Sequence, residues 1–305
     1  MKKNNVTLYL DWTPNINHIG FFVAKELGFY SDLEIRVDIL DPSIDNYKVT
    51  PAKKVEHGES DLALCPFESV ISYRTKDKPF DLTAIAAILQ KDLSAIAVID
   101  SNIRSPKYLD SKTYASYGAR YEDLIVKQMI INDGGKGTID IKYPEKLGIW
   151  ETLISKKHDS TWIFLNWEGI EAKDKNISLN YFKMRDFKIP YSYSPVIVGS
   201  EKFCNTHQEL VEKFLVGTKK GFLFSISNKD EAVDCLSKFI PDHDKEINLK
   251  DALEETTKAF LDKNSWGELR ESNINKFVNW LKENGIVESN LNTKDLFTNR
   301  FTLSN

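Results

Sequence analysis

Short apolar runs alternate with helical segments along the first third of the chain, and this alternation constrains the fold more than any other feature. An apolar run of roughly four to eight residues suits a strand buried in a parallel sheet. Apolar residues spaced three and four apart suit a helix. The pattern predicts strands at 6–10, 34–40, 61–64 and 95–99, helices at 19–27, 51–56 and 68–74, and a further apolar segment at 82–89.

The same alternation starts again after the strand at 95–99. It predicts strands at 112–116, 139–143 and 161–165 and a helix at 122–133, then a return strand at 193–198 and helices at 208–225, 229–238, 249–260 and 272–284. The strand at 161–165 is predicted to be the last of its lobe. Alternating elements favour parallel sheets with helices on both faces. We therefore expect an α/β protein of two lobes, residues 1–96 with 195–305 (including a helical tail) and residues 97–194, joined by crossing strands.

Composition narrows the class of protein. The 305 residues are 41% hydrophobic and 28% charged, which are ordinary globular values. A net charge of −4 offers no general attraction for a polyanion, so nucleic acid is not an expected partner. No run of about 20 apolar residues is present, so no membrane insertion is expected. The start of the chain lacks an apolar signal core, which predicts a cytoplasmic protein; an export signal removed from the chain would instead predict a periplasmic or surface-anchored one.

Neither metal nor catalytic motifs stand out. Cys65, Cys204 and Cys235 are too scattered for a disulfide framework and are predicted to be reduced. The histidines lack the spacing of a helical zinc motif, so no metal site is expected. The sequence contains no nucleophile elbow, phosphate loop or dinucleotide fingerprint. The glycine-rich run at 132–137 follows a helix and is predicted to end it.

The densest group of polar and aromatic residues is the loop at 11–18, between the first strand and the first helix. Open α/β sheets bind ligands at such places, beyond the carboxyl ends of strands. Asn15 and His18 offer hydrogen-bonding groups, Trp12 offers a flat ring, and the helix that follows favours an anionic group. The alternative is that Asn15 or Asn17 only caps the helix while Trp12 packs in the core.

The turn after the third strand is expected on the same side of the sheet. Pro66 and Glu68 are candidate ligand-binding residues there, because a glutamate carboxylate accepts a hydrogen bond from an amino group. The alternative is that Glu68 only complements the helix dipole in the first helical turn.

In the second lobe, Tyr117, Arg120 and Tyr121 lie between a strand and a helix. Arg120 is the strongest candidate for binding a phosphate or carboxylate, because a guanidinium matches pairs of oxygens and the N–H groups of the helix start add to the attraction. A phosphorylated ligand is therefore predicted to be preferred over the free alcohol. The alternative is a surface ion pair between Arg120 and Glu122 or Asp123.

Three further candidates complete the predicted binding residues. Trp167 and Glu168 follow the strand at 161–165 and combine a stacking face with an acceptor. Tyr191 precedes the return strand. Trp150 is assigned to the core.

The first loop and helix contain the strings Leu10-Asp11-Trp12-Thr13-Pro14-Asn15-Ile16-Asn17-His18 and Ala24-Lys25-Glu26-Leu27-Gly28-Phe29-Tyr30. These strings closely resemble the thiamine-pyrimidine family, and the similarity covers residues 6–225. The family joins ABC-transporter proteins that bind pyrimidine precursors of thiamine to the fungal-type synthase of phosphorylated hydroxymethylpyrimidine. The resemblance implies a type II periplasmic-binding-protein fold, with a pyrimidine between aromatic rings in a cleft between the two lobes.

The resemblance also assigns residues by position. Trp12 and Asn15 match the loop that contacts the ring, and Glu68 falls in the second cleft turn. Trp167 and Glu168 match the wall of the far lobe.

Departures from the synthase are equally informative. The fungal-type enzyme has a lysine that holds pyridoxal phosphate and, four residues later, a histidine that is consumed in the reaction. Those positions are Cys65 and Ser69 in this chain, and neither side chain has that chemistry. The enzyme's cysteine-rich run is replaced by residues 189–195. We therefore expect a binder without a cofactor, which delivers its ligand to an ABC-transporter permease or carries it within the cell.

Two other functions stay open. One is an enzyme of thiamine-pyrimidine synthesis that holds pyridoxal phosphate on another lysine, with Lys25, Lys53 and Lys54 as candidates. The other is a sulfonate or taurine binder, which needs Arg120 and N–H groups but no aromatic contact.

Overall fold

The computed structural model describes residues 3–263, 265–288 and 290–302. The chain divides into two compact units. Unit 1 comprises the described residues of Met1–Asp92, Ser192–Asn275 and Glu288–Asn305, and unit 2 comprises those of Leu93–Tyr191 and Lys276–Val287. The chain thus changes unit at 92/93 and 191/192, where 96/97 and 194/195 were expected, and the segment 276–287 belongs to unit 2.

The first part of unit 1 alternates strands and helices. It contains β1 (Asn5–Tyr9), α1 (Ile19–Glu26), β2 (Arg36–Leu40), α2 (Pro51–His57), β3 (Leu62–Cys65), α3 (Phe67–Thr75) and β4 (Leu82–Ala87). These elements nearly coincide with the predicted ones. Gly28, just past α1, has a φ of 77°, which suits a glycine at a helix end.

Unit 2 repeats the alternation. It contains β5 (Ser94–Val98), β6 (Thr113–Ala115), α4 (Glu122–Asn132), β7 (Asp140–Lys142), α5 (Ile149–Ile154), β8 (Ser160–Phe164), α6 (Glu168–Asp174) and β9 (Asn180–Phe182). The prediction that the strand at 161–165 is the last of this lobe is wrong, because β9 pairs with β5. β9 has only three residues and its Tyr181 is exposed, so it lacks the apolar run of a buried strand.

The remaining elements follow in chain order. They are β10 (Val196–Ser200), α7 (Glu201–Thr206), α8 (Gln208–Ser227), α9 (Lys229–Ser237), α10 (Leu249–Phe260) and α11 (Glu271–Glu283). The changes of unit at 92/93 and 191/192 fall in irregular backbone, and α11 contains the change at 275/276. The expected crossing strands are therefore absent from these described segments, because the strands on either side belong to different sheets.

Each unit has one five-stranded sheet, and both sheets are mixed. Sheet 1 has the order β2-β1-β3-β10-β4, and sheet 2 has the order β7-β6-β8-β5-β9. The expectation of purely parallel sheets is wrong, because β10 is antiparallel to β3 and β4, and β5 is antiparallel to β8 and β9. Both exceptions are strands that begin at the edge where their neighbours end. Such a strand must run in the opposite direction.

Apolar side chains fill the interior of each unit. The strands β3, β4 and β5 are buried along their whole length. In unit 2, Trp150 belongs to a core cluster with Leu153 and Ile163, as expected. The three cysteines are buried and are not joined by a disulfide in the structure. Among the described residues, no helix has the length and apolar character needed to cross a bilayer.

Helices α1 and α8 of unit 1 approach each other closely at two glycines. A Cβ atom added to Gly221 would overlap the carbonyl of Gly20, and one added to Gly20 would overlap the ring of Phe222. The contact therefore tolerates no side chain at either position. Because backbone cannot move aside as a flexible side chain does, the helices themselves would have to separate.

We predict that Gly221→Ala destabilises the protein by about 1 to 3 kcal/mol or more, even though alanine favours a helix over glycine by about 1 kcal/mol. Urea denaturation measures the change. Gly148→Ala is the control, because a Cβ there meets only the Glu151 carboxylate at 4.0 Å; its effect should stay within about 0.5 kcal/mol. Equal stability of the two variants would contradict this account of the helix contact.

Candidate functional site

Four loops of unit 1 meet where β1, β3 and β4 end and β10 begins. We call them the carboxyl edge of sheet 1, and they comprise residues 11–18, 66–68, 88–90 and 192–195. Two backbone hydrogen bonds connect the last three of these loops: Phe67 N–H donates to the Tyr193 carbonyl at 3.0 Å, and Ile88 N–H donates to the Pro195 carbonyl at 3.2 Å. This is the side of an α/β sheet on which ligands bind.

The loop at 11–18 is held by its own polar side chains. The Asn15 side chain accepts a hydrogen bond from Asn17 N–H at 3.0 Å and donates one to the Thr13 carbonyl at 3.0 Å. Asn15 is the N-cap of a short 3-10 helix, Ile16–His18, that leads into α1. The hydrogen bonds of Asn15 are therefore those expected if this residue caps the helix.

His18 is enclosed in the same network and is 0% exposed. Its Nδ1 accepts from Asn15 N–H at 3.2 Å, and its Nε2 lies 2.8 Å from Asp11 Oδ1. Because Nδ1 accepts, the ring proton of the neutral imidazole must lie on Nε2 and be donated to the carboxylate. His18 thus positions the loop, and its two nitrogens are both in use.

Trp12 has a different environment from the rest of the loop. Its ring is half-buried and tilted at 48° against Tyr47, with the ring centroids 5.6 Å apart. The Tyr47 hydroxyl donates to the Asp11 carbonyl at 2.8 Å. Trp12 therefore packs on Tyr47 and is not a fully buried core residue.

Sequence reasoning missed Tyr47, which follows β2. Asn46 and Tyr47 have φ angles of 53° and 57°, a left-handed conformation that costs energy for residues other than glycine. Asn46 is the C-cap of the 3-10 helix Pro42–Asp45, and the left-handed turn there directs Tyr47, a placement that the sequence does not display. Burial raises the pKa of the Tyr47 hydroxyl, and the nearby Asp11 carboxylate raises it further, so the group stays protonated as a donor.

The turn after β3 begins with Pro66, which is half-buried and precedes α3. Glu68 lies in the first turn of α3 and is buried. Burial raises the pKa of the Cys65 thiol, the Asp11 carboxylate raises it further, and a hydrogen bond with Ser69 opposes the rise. Cys65 and Ser69 thus interact with each other at the edge of the sheet.

In unit 2, the turn between β6 and α4 is closed by Glu122. The Glu122 carboxylate accepts hydrogen bonds from the Tyr114 hydroxyl at 2.7 Å and from the N–H groups of Tyr117 and Ala119 at 3.1 and 3.0 Å. Burial raises the pKa of Glu122, and these hydrogen bonds oppose the rise. The prediction that this turn offers its N–H groups to an anionic ligand is wrong for Tyr117 and Ala119, because Glu122 already occupies them.

Arg120 itself is exposed. Within the described part of the chain it forms no ion pair. The alternative of an ion pair with Glu122 or Asp123 is wrong, because the Asp123 carboxylate binds the hydroxyls of Ser116 at 2.7 Å and Tyr143 at 2.5 Å. The role of Arg120 as an anion ligand stays a prediction, now without help from these N–H groups. Tyr121, beside it, is half-buried with a left-handed φ of 64°.

The other candidates of unit 2 have structural contacts. Trp167 is 3% exposed and is the N-cap residue of α6. The Glu168 carboxylate accepts from Phe164 N–H at 2.8 Å, which ties the loop back to the end of β8. Tyr191 packs edge-on against Trp162 and Phe277, with centroid distances of 5.1 and 5.5 Å.

The candidate cofactor lysines are engaged elsewhere. Lys53 pairs with Glu56 at 2.6 Å, and Lys25 lies over the Phe239 ring at 5.8 Å. Lys54 is buried with Asp45 at 2.6 Å. Burial alone would lower the pKa of Lys54, but the hydrogen bond with Asp45 and the nearby negative charges together outweigh it, and the pKa is raised. A Schiff base needs the neutral amine, which this environment disfavours.

Comparison with solved structures identifies the fold. A conserved Candida albicans gene product, described as having the generic periplasmic binding protein fold, superposes with a TM-score of 0.72 over 98% of this chain and 96% of its own, at 13% identity. The expected periplasmic-binding-protein fold, with two α/β units, is confirmed. The protein thus has the periplasmic-binding-protein fold.

Comparison of sequences identifies the family. The pattern of the family described as NMT1/THI5 like matches residues 15–232, and the chain belongs to this family. A formylaminopyrimidine-binding protein of Halalkalibacterium halodurans is 26% identical over 76% of this chain and 69% of its own. A 4-amino-5-hydroxymethyl-2-methylpyrimidine phosphate synthase of Legionella pneumophila is 25% identical over 78% and 75%. The resemblance noted from the loop motif is confirmed.

We predict that Asn15→Ala lowers stability by about 1 kcal/mol, because the cap of the loop helix is lost. Asn15→Ser keeps a capping oxygen and should lose less. Asn248→Ala is the matched control, since Asn248 caps α10 through Asp251 N–H at 3.1 Å, far along the chain from the loop. Thermal unfolding measures all three. An Asn15→Ala variant as stable as the wild type would show that the cap is unimportant.

Proposed function

We propose that the protein binds a pyrimidine of the thiamine-precursor class at the carboxyl edge of sheet 1. Family membership and the 26% identical formylaminopyrimidine-binding protein support the ligand class. The observation that carries the proposal is the half-buried Trp12 ring, held by Tyr47 at the ligand-binding side of the sheet. A flat heteroaromatic ring stacks well on such an indole.

The loop that carries Trp12 is held by hydrogen bonds of its own side chains. Asp11, His18 and Asn15 form one connected set of hydrogen bonds beside it. A loop that is already fixed loses little conformational entropy on binding, which favours affinity. In this proposal Asn15 and His18 support the site, and Trp12 contacts the ring.

Binding is favoured over synthesis by the side chains at the positions of the fungal-type cofactor lysine and histidine. Cys65 is a buried thiol next to Ser69, and the pKa of that thiol is raised. The ion pair of Lys54 with Asp45 further disfavours Lys54 as a substitute cofactor lysine. We therefore propose a binder without pyridoxal phosphate, which passes its ligand to an ABC-transporter permease.

We predict that formylaminopyrimidine, hydroxymethylpyrimidine or thiamine raises the melting temperature. A site filled at about 100 times its dissociation constant adds about 2.7 kcal/mol. Trp12→Ala should weaken binding by about 1 to 3 kcal/mol, a range typical of lost stacking on a base, and Trp12→Phe should restore most of it.

Stability of the ligand-free variants provides the control. Trp12→Ala should lose less stability than Trp150→Ala, a core variant expected to lose about 3 to 5 kcal/mol. Absence of any melting shift at millimolar concentration of all three compounds would remove the pyrimidine assignment. Binding by Trp12→Ala at wild-type affinity would remove Trp12 from the site.

Arg120 generates a separate prediction about phosphorylation. We expect Arg120→Ala to weaken the binding of phosphorylated hydroxymethylpyrimidine by about tenfold, because the phosphate matches a guanidinium. The affinity for the free alcohol should stay within about twofold of the wild type, because the alcohol carries no such group. Arg104→Ala is the matched control, since Arg104 is also exposed in unit 2. Calorimetric titration of both ligands decides the matter. An equal loss of affinity for both ligands, or no loss for either, would show that Arg120 does not bind the anionic group.

A further inference from the structure

Three buried polar groups at the β4 end of unit 1 have no hydrogen-bond partner among the described residues. They are the Gln90 amide nitrogen Nε2, the Ser192 hydroxyl Oγ and the Trp266 indole Nε1. Gln90 is 9% exposed, Ser192 is 6% exposed and Trp266 is 1% exposed. Water therefore has little access to any of these side chains.

Backbone hydrogen bonds bring these three residues to the same end of the sheet. Gln90 N–H donates to the Ala259 carbonyl at 2.6 Å. Ala87, the last residue of β4, donates to the carbonyl of Gly267, the neighbour of Trp266, at 2.9 Å. Since Ile88 N–H donates to the Pro195 carbonyl, the segment that carries Ser192 lies beside the segment that carries Gln90.

Three buried hydroxyl groups elsewhere in unit 1 are paired. The Thr218 hydroxyl meets the Tyr30 hydroxyl at 2.8 Å, and the Ser225 hydroxyl donates to the Gly221 carbonyl at 2.8 Å. Thr256 does the same with the Ala252 carbonyl at 2.6 Å. Folded proteins pair the great majority of their buried polar atoms. Several unpaired ones at the end of one strand indicate a partner that is not part of the chain.

The chemistry of the three groups defines that partner. Gln90 Nε2 and Trp266 Nε1 are donors, and a serine hydroxyl both donates and accepts. None of the three groups is charged. They are suited to acceptor atoms of a neutral compound, such as a ring nitrogen or a carbonyl oxygen.

A fourth group extends the set toward Trp12. The Thr13 hydroxyl is also buried and has no hydrogen-bond partner among the described residues. Thr13 follows β1, which lies two strands from β10 in sheet 1. Two strand spacings are about 10 Å, a distance that a substituted aromatic ring and its side group span.

We propose that Gln90, Ser192 and Trp266 are ligand-binding residues that hydrogen-bond the acceptor atoms of a neutral heteroaromatic ligand. This inference rests on the proposed pyrimidine-binding function and adds the polar half of the site to the aromatic half at Trp12. It assigns the ligand's specificity to donors that follow β4 and precede β10.

The test compares three variants that each remove one polar group: Gln90→Met and Ser192→Ala, which change the shape little, and Trp266→Phe, which also shortens the side chain. Formylaminopyrimidine is titrated by calorimetry into each variant and the wild type. Each variant should bind about tenfold more weakly, because a hydrogen bond to the ligand is lost. The ligand-free Gln90→Met and Ser192→Ala variants should melt at or above the wild-type temperature, because removing an unpaired buried group relieves its desolvation cost.

Matched controls separate binding from packing. Ser225→Ala removes a buried hydroxyl that is paired, so its melting temperature should fall while its affinity stays within about twofold of the wild type. Trp150→Phe removes a buried indole N–H without a partner from the core cluster of unit 2, and it should also keep wild-type affinity. Ser192→Ala changes a single oxygen atom, so the test stands even if Trp266→Phe fails to fold.

The outcomes distinguish the two proposals. A wild-type protein that binds no pyrimidine overturns the proposed function and this inference with it. A wild type that binds, with Gln90→Met and Ser192→Ala binding within about twofold of it, overturns this inference alone and shows that the three groups do not contact the ligand. Weaker binding with unchanged or raised melting temperature supports it, since a merely structural role would lower the melting temperature.

Discussion

The antiparallel insertion of β10 between β3 and β4 is the contact on which unit 1 depends. Ladders on both sides of β10 join segments that are far apart in the chain into one sheet. Because β10 begins where β3 and β4 end, the residues before it lie among the loops that follow those strands. The carboxyl edge of sheet 1 is therefore built from both the first part of the chain and the part that returns from unit 2.

Polar residues in a loop can bind a ligand or stabilise the loop through their own hydrogen bonds. Which of the two they do depends on the folded structure. Asn15 and His18 were predicted to bind a ligand, yet their hydrogen bonds hold the loop at 11–18. Glu122 was considered only as an ion-pair partner, yet it occupies the N–H groups that were expected to bind an anion. The sequence does not separate these uses, because a helix cap and a ligand contact require the same side chains.

Local patterns predicted most of the strands and helices, and features set by distant contacts escaped them. Apolar runs identified the buried strands, and apolar spacing identified the helices. The short strand β9 and the direction of β10 depend on partners elsewhere in the chain, so no local pattern reveals them. In the candidate site, the motif around Trp12 predicted the loop. Tyr47, Gln90 and Ser192 lie outside any motif, and only folding brings them to the same side of sheet 1.

The two halves of the proposed site differ in what they require of the fold. The aromatic half is held by contacts within the chain, because Trp12 packs on Tyr47 and the side chains of Asn15 and His18 are hydrogen-bonded within the loop. The polar half lacks such contacts, since Gln90, Ser192 and Trp266 bury hydrogen-bonding atoms that have no partner among the described residues. Such groups lower stability unless a ligand pairs with them. A protein selected for stability alone would carry apolar residues at these positions, so their presence beside the Trp12 loop is most simply explained by a ligand that uses both halves together.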